Sequence, residues 1–206
     1  MKKIEDYMRS IPDFPKKGII FRDMTKALND KDGLKLVVDS LQDLIKDDDF
    51  DIIAGIESRG FILGMPLSYN MNKAFLPVRK KGKLPCETIE ESYDLEYGSA
   101  TIEIDKTAIK KGDKVVLIDD IIATGGTMKA ACRLVERLGG EVVAVIFLME
   151  LVDLKGRDVL SKYNVKSIIK YEGEWELFLL AQQILLFFFL KDSFFGFVLS
   201  LNVIIF

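Results

Sequence analysis

Histidine is missing altogether from these 206 residues, and with it goes the side chain whose charge changes nearest neutral pH. Any proton transfer in catalysis must fall to Asp, Glu, Lys, Tyr or water. Cysteine is nearly absent: Cys86 sits in a polar loop and Cys132 in a helical pattern. That excludes a disulfide framework and a cysteine-rich metal cluster, and it points to a reducing, cytoplasmic setting. A surplus of either charge is also lacking, since 29 Lys and Arg stand against 32 Asp and Glu for a formal net charge of −3. With an isoelectric point near 5.2, no overall field draws the chain to nucleic acid or acidic lipid, so any attraction for phosphate has to be local. The opening run MKKIEDYMRSIPDF lacks the apolar core of a secretory signal, and export is not expected.

What is present is an alternation of short apolar runs with helical patterns, the signature of an α/β fold with a mostly parallel sheet flanked by helices. The runs are DIIAG from Asp51, AFLPV from Ala74, ATIEI from Ala100, KVVLI from Lys114 and EVVAVIFLM from Glu141. Between the last two, Met128, Ala131, Cys132, Val135 and Leu138 fall at helical spacing, and Gly139 with Gly140 supplies a stop. The length suits one domain that buries roughly 70% of its unfolded surface. Ligands bind at the carboxyl ends of strands in such sheets, so the residues after each run are where chemistry is expected. Lys80 to Gly98 is long, polar and broken by Pro85, and reads as a mobile loop.

The most informative stretch is VVLIDDIIATGGTMKAA. An apolar strand delivers Asp119 and Asp120, and Ala123, Thr124, Gly125, Gly126 and Thr127 then open a helix. Small residues let successive backbone N–H groups converge on an anion, and the helix start adds partial positive charge. Two adjacent carboxylates suit ribose hydroxyls or a hydrated magnesium ion. The spacing is neither GxxxxGK[ST] nor GxGxxG, which argues against nucleotide hydrolysis and dinucleotide binding. On spacing alone, the same residues also fit an ordinary strand-to-helix turn capped by Thr127.

IDDIIATGGTM closely resembles the 5-phosphoribosyl 1-pyrophosphate motif of type I phosphoribosyltransferases. The resemblance implies that family's fold, with a small hood and a flexible catalytic loop beside the central sheet. It implies that Asp119 and Asp120 hold the ribose hydroxyls and that Ala123 to Thr127 grip the 5-phosphate. Three further segments, together with the basic run RKKGKLP, resemble the adenine-acting branch of the family. In IPDFPKKGIIFRDMT, Ile20, Phe21 and Arg22 would line a base pocket, where an aromatic face suits a flat purine. In GIESRGF, Glu57, Ser58 and Arg59 would form the pyrophosphate loop, Arg59 offering two parallel N–H groups. RKKGKLP places four cations within five residues, and by likeness Arg79 and Lys83 would contact substrate. In ESYDLEYG the likeness makes Glu96 the catalytic acid or base on the closing loop, with Tyr97 beside it.

The activity so implied joins adenine to 5-phosphoribosyl 1-pyrophosphate, releasing AMP and pyrophosphate, with Mg²⁺ as cofactor. No direct protein ligand to the metal is assigned; Asp119 and Asp120 could reach it through water or ribose. Arg59 and Lys83 would act with Glu96 in catalysis, in a homodimer that binds no nucleic acid. Two rivals stay open: an enzyme for xanthine, hypoxanthine or guanine, and a non-catalytic sensor of the phosphoribosyl donor.

The resemblance runs to the YEGE segment at Tyr171 to Glu174, giving an expected phosphoribosyltransferase domain over residues 1–176. Residues 177–206 form an apolar extension in which only Lys191 and Asp192 are charged and which holds eight of the 14 Phe. Each apolar run is shorter than the ~20 residues of a bilayer-spanning helix. An anchor, a packed helix pair and a non-native extension are the readings open for it, with composition favouring the last. Membrane association is not expected unless that tail is genuine.

Overall fold

The computed structural model of the chain describes residues 2–14, 17, 20–94 and 99–173. The chain divides into two compact units, one containing Met1–Met8 and Met24–Glu172 and the other containing Arg9–Asp23. In the smaller unit, β1 (Arg9–Pro12) and β2 (Ile20–Asp23) pair antiparallel. The rings of Phe14 and Phe21 meet edge to face at 5.3 Å, and Arg9 donates to Asp23.

The larger unit begins with two short helices, α1 (Ile4–Tyr7) and α2 (Thr25–Leu28). Asp30 starts α3 (Lys31–Ile45), its side chain accepting from the N–H groups of Asp32 and Gly33, as an N-cap should. Then follow β3 (Ile52–Ile56), α4 (Arg59–Met71), β4 (Ala74–Lys80), β5 (Thr88–Asp94), β6 (Ser99–Asp105), β7 (Lys114–Ile122), α5 (Gly126–Arg137), β8 (Glu141–Leu151), α6 (Gly156–Val159) and β9 (Val165–Tyr171). Seven strands make one sheet in the order β5-β6-β4-β3-β7-β8-β9. β4, β3, β7, β8 and β9 run parallel, and β5 and β6 add an antiparallel edge.

Alternation along the central strands sorts their side chains onto two faces. Ile53, Val116, Ile118, Ala144 and Ile146 join one core with Val37 and Leu41 of α3 and Leu63 and Leu67 of α4. Ile52, Ala54, Val115, Leu117, Val145 and Phe147 join the other, beneath Met128, Ala131 and Val135 of α5. Covering both faces is what requires β3 to be buried at all five positions and to read as unbroken apolar sequence. From β3 the chain moves to β4 on one side and later returns to β7 on the other. The order thus reverses between β3 and β7, which opens a crevice at their carboxyl ends.

One expectation about secondary structure is corrected. Lys80 to Gly98 is not all loop, because Thr88–Asp94 forms β5 in register with β6 from Thr88↔Asp105 to Asp94↔Ser99. Polar cross-strand partners such as Ser92 and Thr101, 2.9 Å apart, replace the apolar alternation that would have advertised a strand. The irregular part between β4 and β5 is Lys81–Glu87. At α5 the N-cap is Gly125, at φ +79°, so the alternative of a turn capped by Thr127 does not hold.

Candidate active site

β7 carries Asp119 and Asp120 to the crevice, and the loop that follows turns into α5. Because Gly125 has no side chain, no side-chain cap closes the first turn of α5, and a helix start left this way can take an anion. The loop, Arg59, Asp119, Asp120 and Phe147 line a cavity of about 210 Å³. That is below the roughly 300–1,000 Å³ of complete small-molecule sites, and it suits a portion of a ligand such as a sugar phosphate.

Close backbone packing sets the opposite wall. A Cβ on Gly60 would stand 2.6 Å from the Ile118 carbonyl oxygen, so only glycine lets the start of α4 lie against β7 at this height. Arg59 is thereby carried to the carboxylates, with its Nε 2.8 Å from Asp120 Oδ2. Asp120 is 2% exposed, and its Oδ2 receives no hydrogen bond among the described residues. Asp119 Oδ1 accepts the Asp120 N–H at 2.8 Å.

Both carboxyls titrate above the ordinary aspartate range. For Asp119 the main cause is withdrawal from water, followed by the charge of Asp120. For Asp120 it is again burial, opposed by Arg59. Two buried acids at a strand end, both held above their normal pKa and with a guanidinium against Asp120, mark this crevice as a place for polar chemistry.

A second constellation lies along β4 and the loop after it. Arg79 donates to Glu57 through Nε at 3.1 Å and Nη2 at 3.4 Å, and through Nη1 to the Lys83 carbonyl at 3.0 Å. Glu57 also accepts the Lys80 N–H at 3.0 Å. The Arg79 hydrogen bond holds the Glu57 carboxyl below the usual range. Arg79 therefore organises the loop from within, while Lys83 and Ser58 are exposed. The Glu57–Ser58 peptide bond is cis.

Sequence reasoning missed Glu103. This carboxylate on β6 is 3% exposed, and its Oε1 accepts the N–H groups of Lys83 at 2.8 Å and Leu84 at 2.9 Å. Burial pushes its pKa up, but hydrogen bonds from the Leu84, Gly82 and Lys83 amides and the Thr88 hydroxyl outweigh that and leave it lowered. Its only signal in the sequence is an acid inside an apolar run, ATIEI. A depressed carboxyl stabilises the fold above its unfolded pKa of about 4.3 and loses that contribution as pH falls through its folded value. Glu103→Gln is thus expected to lower the melting temperature by roughly 2–8 °C at pH 7. The gap should close in acid, and equal melting curves at pH 7 would remove the staple.

Of the expected site residues, the structure brings Arg59, Asp119, Asp120 and Ala123 to Thr127 around one cavity, and links Glu57, Arg79 and Lys83. Ile20, Phe21 and Arg22 belong to the smaller unit, where Arg22 Nη1 donates to Ser10 Oγ at 2.5 Å. Glu96 and Tyr97 lie outside the described residues, as does the tail beyond Gly173.

The phosphoribosyl transferase domain family matches residues 24–181. An adenine phosphoribosyltransferase of Lachnoclostridium phytofermentans is 62% identical over 174 residues, covering 84% of this chain and all of that protein. The crystal structure of adenine phosphoribosyltransferase from Thermoanaerobacter pseudethanolicus superposes with a TM-score of 0.79 at 48% identity, over 82% of this chain and 98% of that one. The enzyme from Giardia lamblia, solved with 9-deazaadenine, gives 0.78 at 35% identity over 84% of this chain and all of that one.

Proposed function

Because the chain belongs to the phosphoribosyltransferase family, we propose that it is an adenine phosphoribosyltransferase, converting adenine and 5-phosphoribosyl 1-pyrophosphate to AMP and pyrophosphate. The observation that carries this reading is the cavity at the switch point, where Asp119, Asp120, Arg59 and an uncapped helix start converge on a chain that spans whole relatives of that activity. Incubating the purified protein with adenine, the phosphoribosyl donor and Mg²⁺ should yield AMP. Equal turnover of hypoxanthine or guanine would overturn the assignment to adenine.

The residues have distinct tasks on this reading. The amides of Ala123 to Thr127 and the Thr124 and Thr127 hydroxyls bind the 5-phosphate. Asp119 and Asp120 accept the ribose hydroxyls and fix the sugar. Displacement at the anomeric carbon passes through an oxocarbenium-like state in which charge grows on the departing pyrophosphate. Arg59, Ser58 and Lys83 meet that charge, and such fixed donors are typically worth ~10²- to 10³-fold each. Arg79 and Glu57 hold the loop that carries Lys83. Glu96 would manage the purine proton, an effect of roughly 10²- to 10⁴-fold, with Tyr97 beside it and Ile20, Phe21 and Arg22 lining the base pocket.

The donor set also fits Mg²⁺. No group of three acids, cysteines or histidines converges among the described residues, but the Asp119 and Asp120 carboxylates both line the cavity. One or two carboxylates suffice where substrate phosphates complete the coordination. When bound, the ion would offset negative charge on the pyrophosphate; Asp119 and Asp120 would hold it through water or ribose.

The reading includes a cytoplasmic homodimer. Both cysteines are free, Cys86 exposed and Cys132 buried, which fits a reducing compartment. No helix among the described residues is long and apolar enough to cross a membrane. On α4, Ile62, Met65 and Tyr69 are 48%, 51% and 86% exposed, and their spacing makes one apolar stripe that suits a self-complementary contact. Met65→Glu should convert the dimer to monomer in sedimentation velocity at micromolar concentration. A variant that sediments as wild type would take the interface elsewhere.

A further inference from the structure

The segment after β8 meets the phosphate loop backbone to backbone. A Cβ on Gly156 would stand 2.2 Å from the Ala123 carbonyl oxygen and 2.8 Å from Ile122 Cγ1, and one on Gly125 would stand 2.7 Å from the Gly156 carbonyl oxygen. Two glycines thus face each other with no room for a methyl group on either. Gly125 is further committed by its left-handed φ of +79°. Contact this close fixes the path of Ala123 to Gly125 only if Gly156 is itself held still.

Arg157 supplies that hold. Its Nε donates to Glu150 Oε1 at 2.9 Å and its Nη2 to Glu150 Oε2 at 2.6 Å. Nη1 donates to the Val165 carbonyl at 2.6 Å, and Nη2 reaches Ser167 Oγ at 3.2 Å. Ser167 in turn donates to Glu150. Glu150 is buried and pairs in register with Ile122, the last residue of β7. The guanidinium is therefore anchored to β8 and β9 at the level where the phosphate loop leaves the sheet. A planar fork on a buried carboxylate has one low-energy geometry.

We propose that Gly156 and Arg157 are positioning residues for the 5-phosphate grip: Arg157, locked on Glu150, presses the Gly156 backbone against Ala123 and Gly125 and so holds the loop ready for the phosphate. This rests on the reading of Ala123 to Thr127 as the phosphate site. Neither residue lines the cavity, so their effect should be confined to ligands that carry the phosphate.

AMP and adenosine differ only in that group, and calorimetric titration of both into wild type, Gly156→Ala and Arg157→Lys tests the idea. The alanine forces the loop aside by its own bulk. The lysine keeps a charge opposite Glu150 but loses the fork, and it carries the test if Gly156→Ala does not fold. In variants melting within a few degrees of wild type, AMP affinity should fall about tenfold or more, as displaced binding groups typically cost. Adenosine affinity should stay within about twofold, and the KM for the phosphoribosyl donor should rise while that for adenine does not. Unchanged AMP affinity, or equal losses for AMP and adenosine, overturns the positioning role. A wild type that binds adenosine as tightly as AMP overturns instead the phosphate reading beneath it.

Discussion

Asp119→Asn is expected to give a protein that melts higher than wild type at pH 7 and turns over about 10²- to 10³-fold more slowly. The two effects share one cause. Desolvation and the neighbouring Asp120 charge hold the Asp119 pKa above its ordinary value, so the ionised carboxyl is costlier in the folded chain than in the unfolded one. Such a group favours folding below its unfolded pKa of about 3.9, and that benefit is lost as pH rises through the folded value. Asparagine keeps the oxygen that accepts the Asp120 N–H but never ionises. The advantage of the variant should therefore open as pH rises and vanish in acid. Each kcal/mol recovered is worth roughly 2–4 °C at this chain length. Activity falls because an amide is a weaker acceptor for sugar hydroxyls than a carboxylate. Melting and steady-state rates measured from pH 4 to 8 decide it, and a variant that melts no higher at pH 7 contradicts the account.

Arg59→Ala should lower kcat/KM by about 10²- to 10³-fold, and it should also move the acid limb of the pH–rate profile upward. Arg59 opposes the raised pKa of both aspartates, so its removal lets both rise further. Protonation then reaches the two carboxyls at a higher pH than in wild type. Leaving Asp120 buried beside no cation also destabilises the fold. Arg59→Lys should recover most of the limb position, because charge suffices for that. It should recover little of the rate, because a single ammonium cannot offer two parallel donors to pyrophosphate. An acid limb that stays in place on removal of Arg59 would mean that the aspartates titrate independently of it.

The strand, loop and helix around Asp119 to Thr127 were legible because they are contiguous: apolar run, acids, small residues and helical spacing follow one another within a single stretch. Arg59 was legible for a similar reason, as only Glu57 and Ser58 separate it from the buried strand Ile52–Ile56. What could not be read depends on pairing across the sheet. Glu103 acquires its task only when β6 lies beside β4, with Arg79↔Glu103 in register. Gly156 and Arg157 matter only once β8 sets Glu150 opposite Ile122. β5 escaped because its alternation is polar. Arg133 and Arg137 of α5 supply partners for Glu91 that no local pattern reveals.

The difference between the two thiols gives the molecule a built-in handle. Cys132 sits inside the core with its pKa pushed up to about 12, chiefly by burial, and is closed to alkylation. Cys86 lies exposed in the Lys81–Glu87 turn, slowed by a thiol pKa that desolvation and Asp105 also raise. Among the described residues a maleimide dye can thus attach at one point, on the stretch that the buried Glu103 carboxylate pins down. Fluorescence from that single label would report whether the basic turn stays fastened during turnover, with no engineered cysteine required.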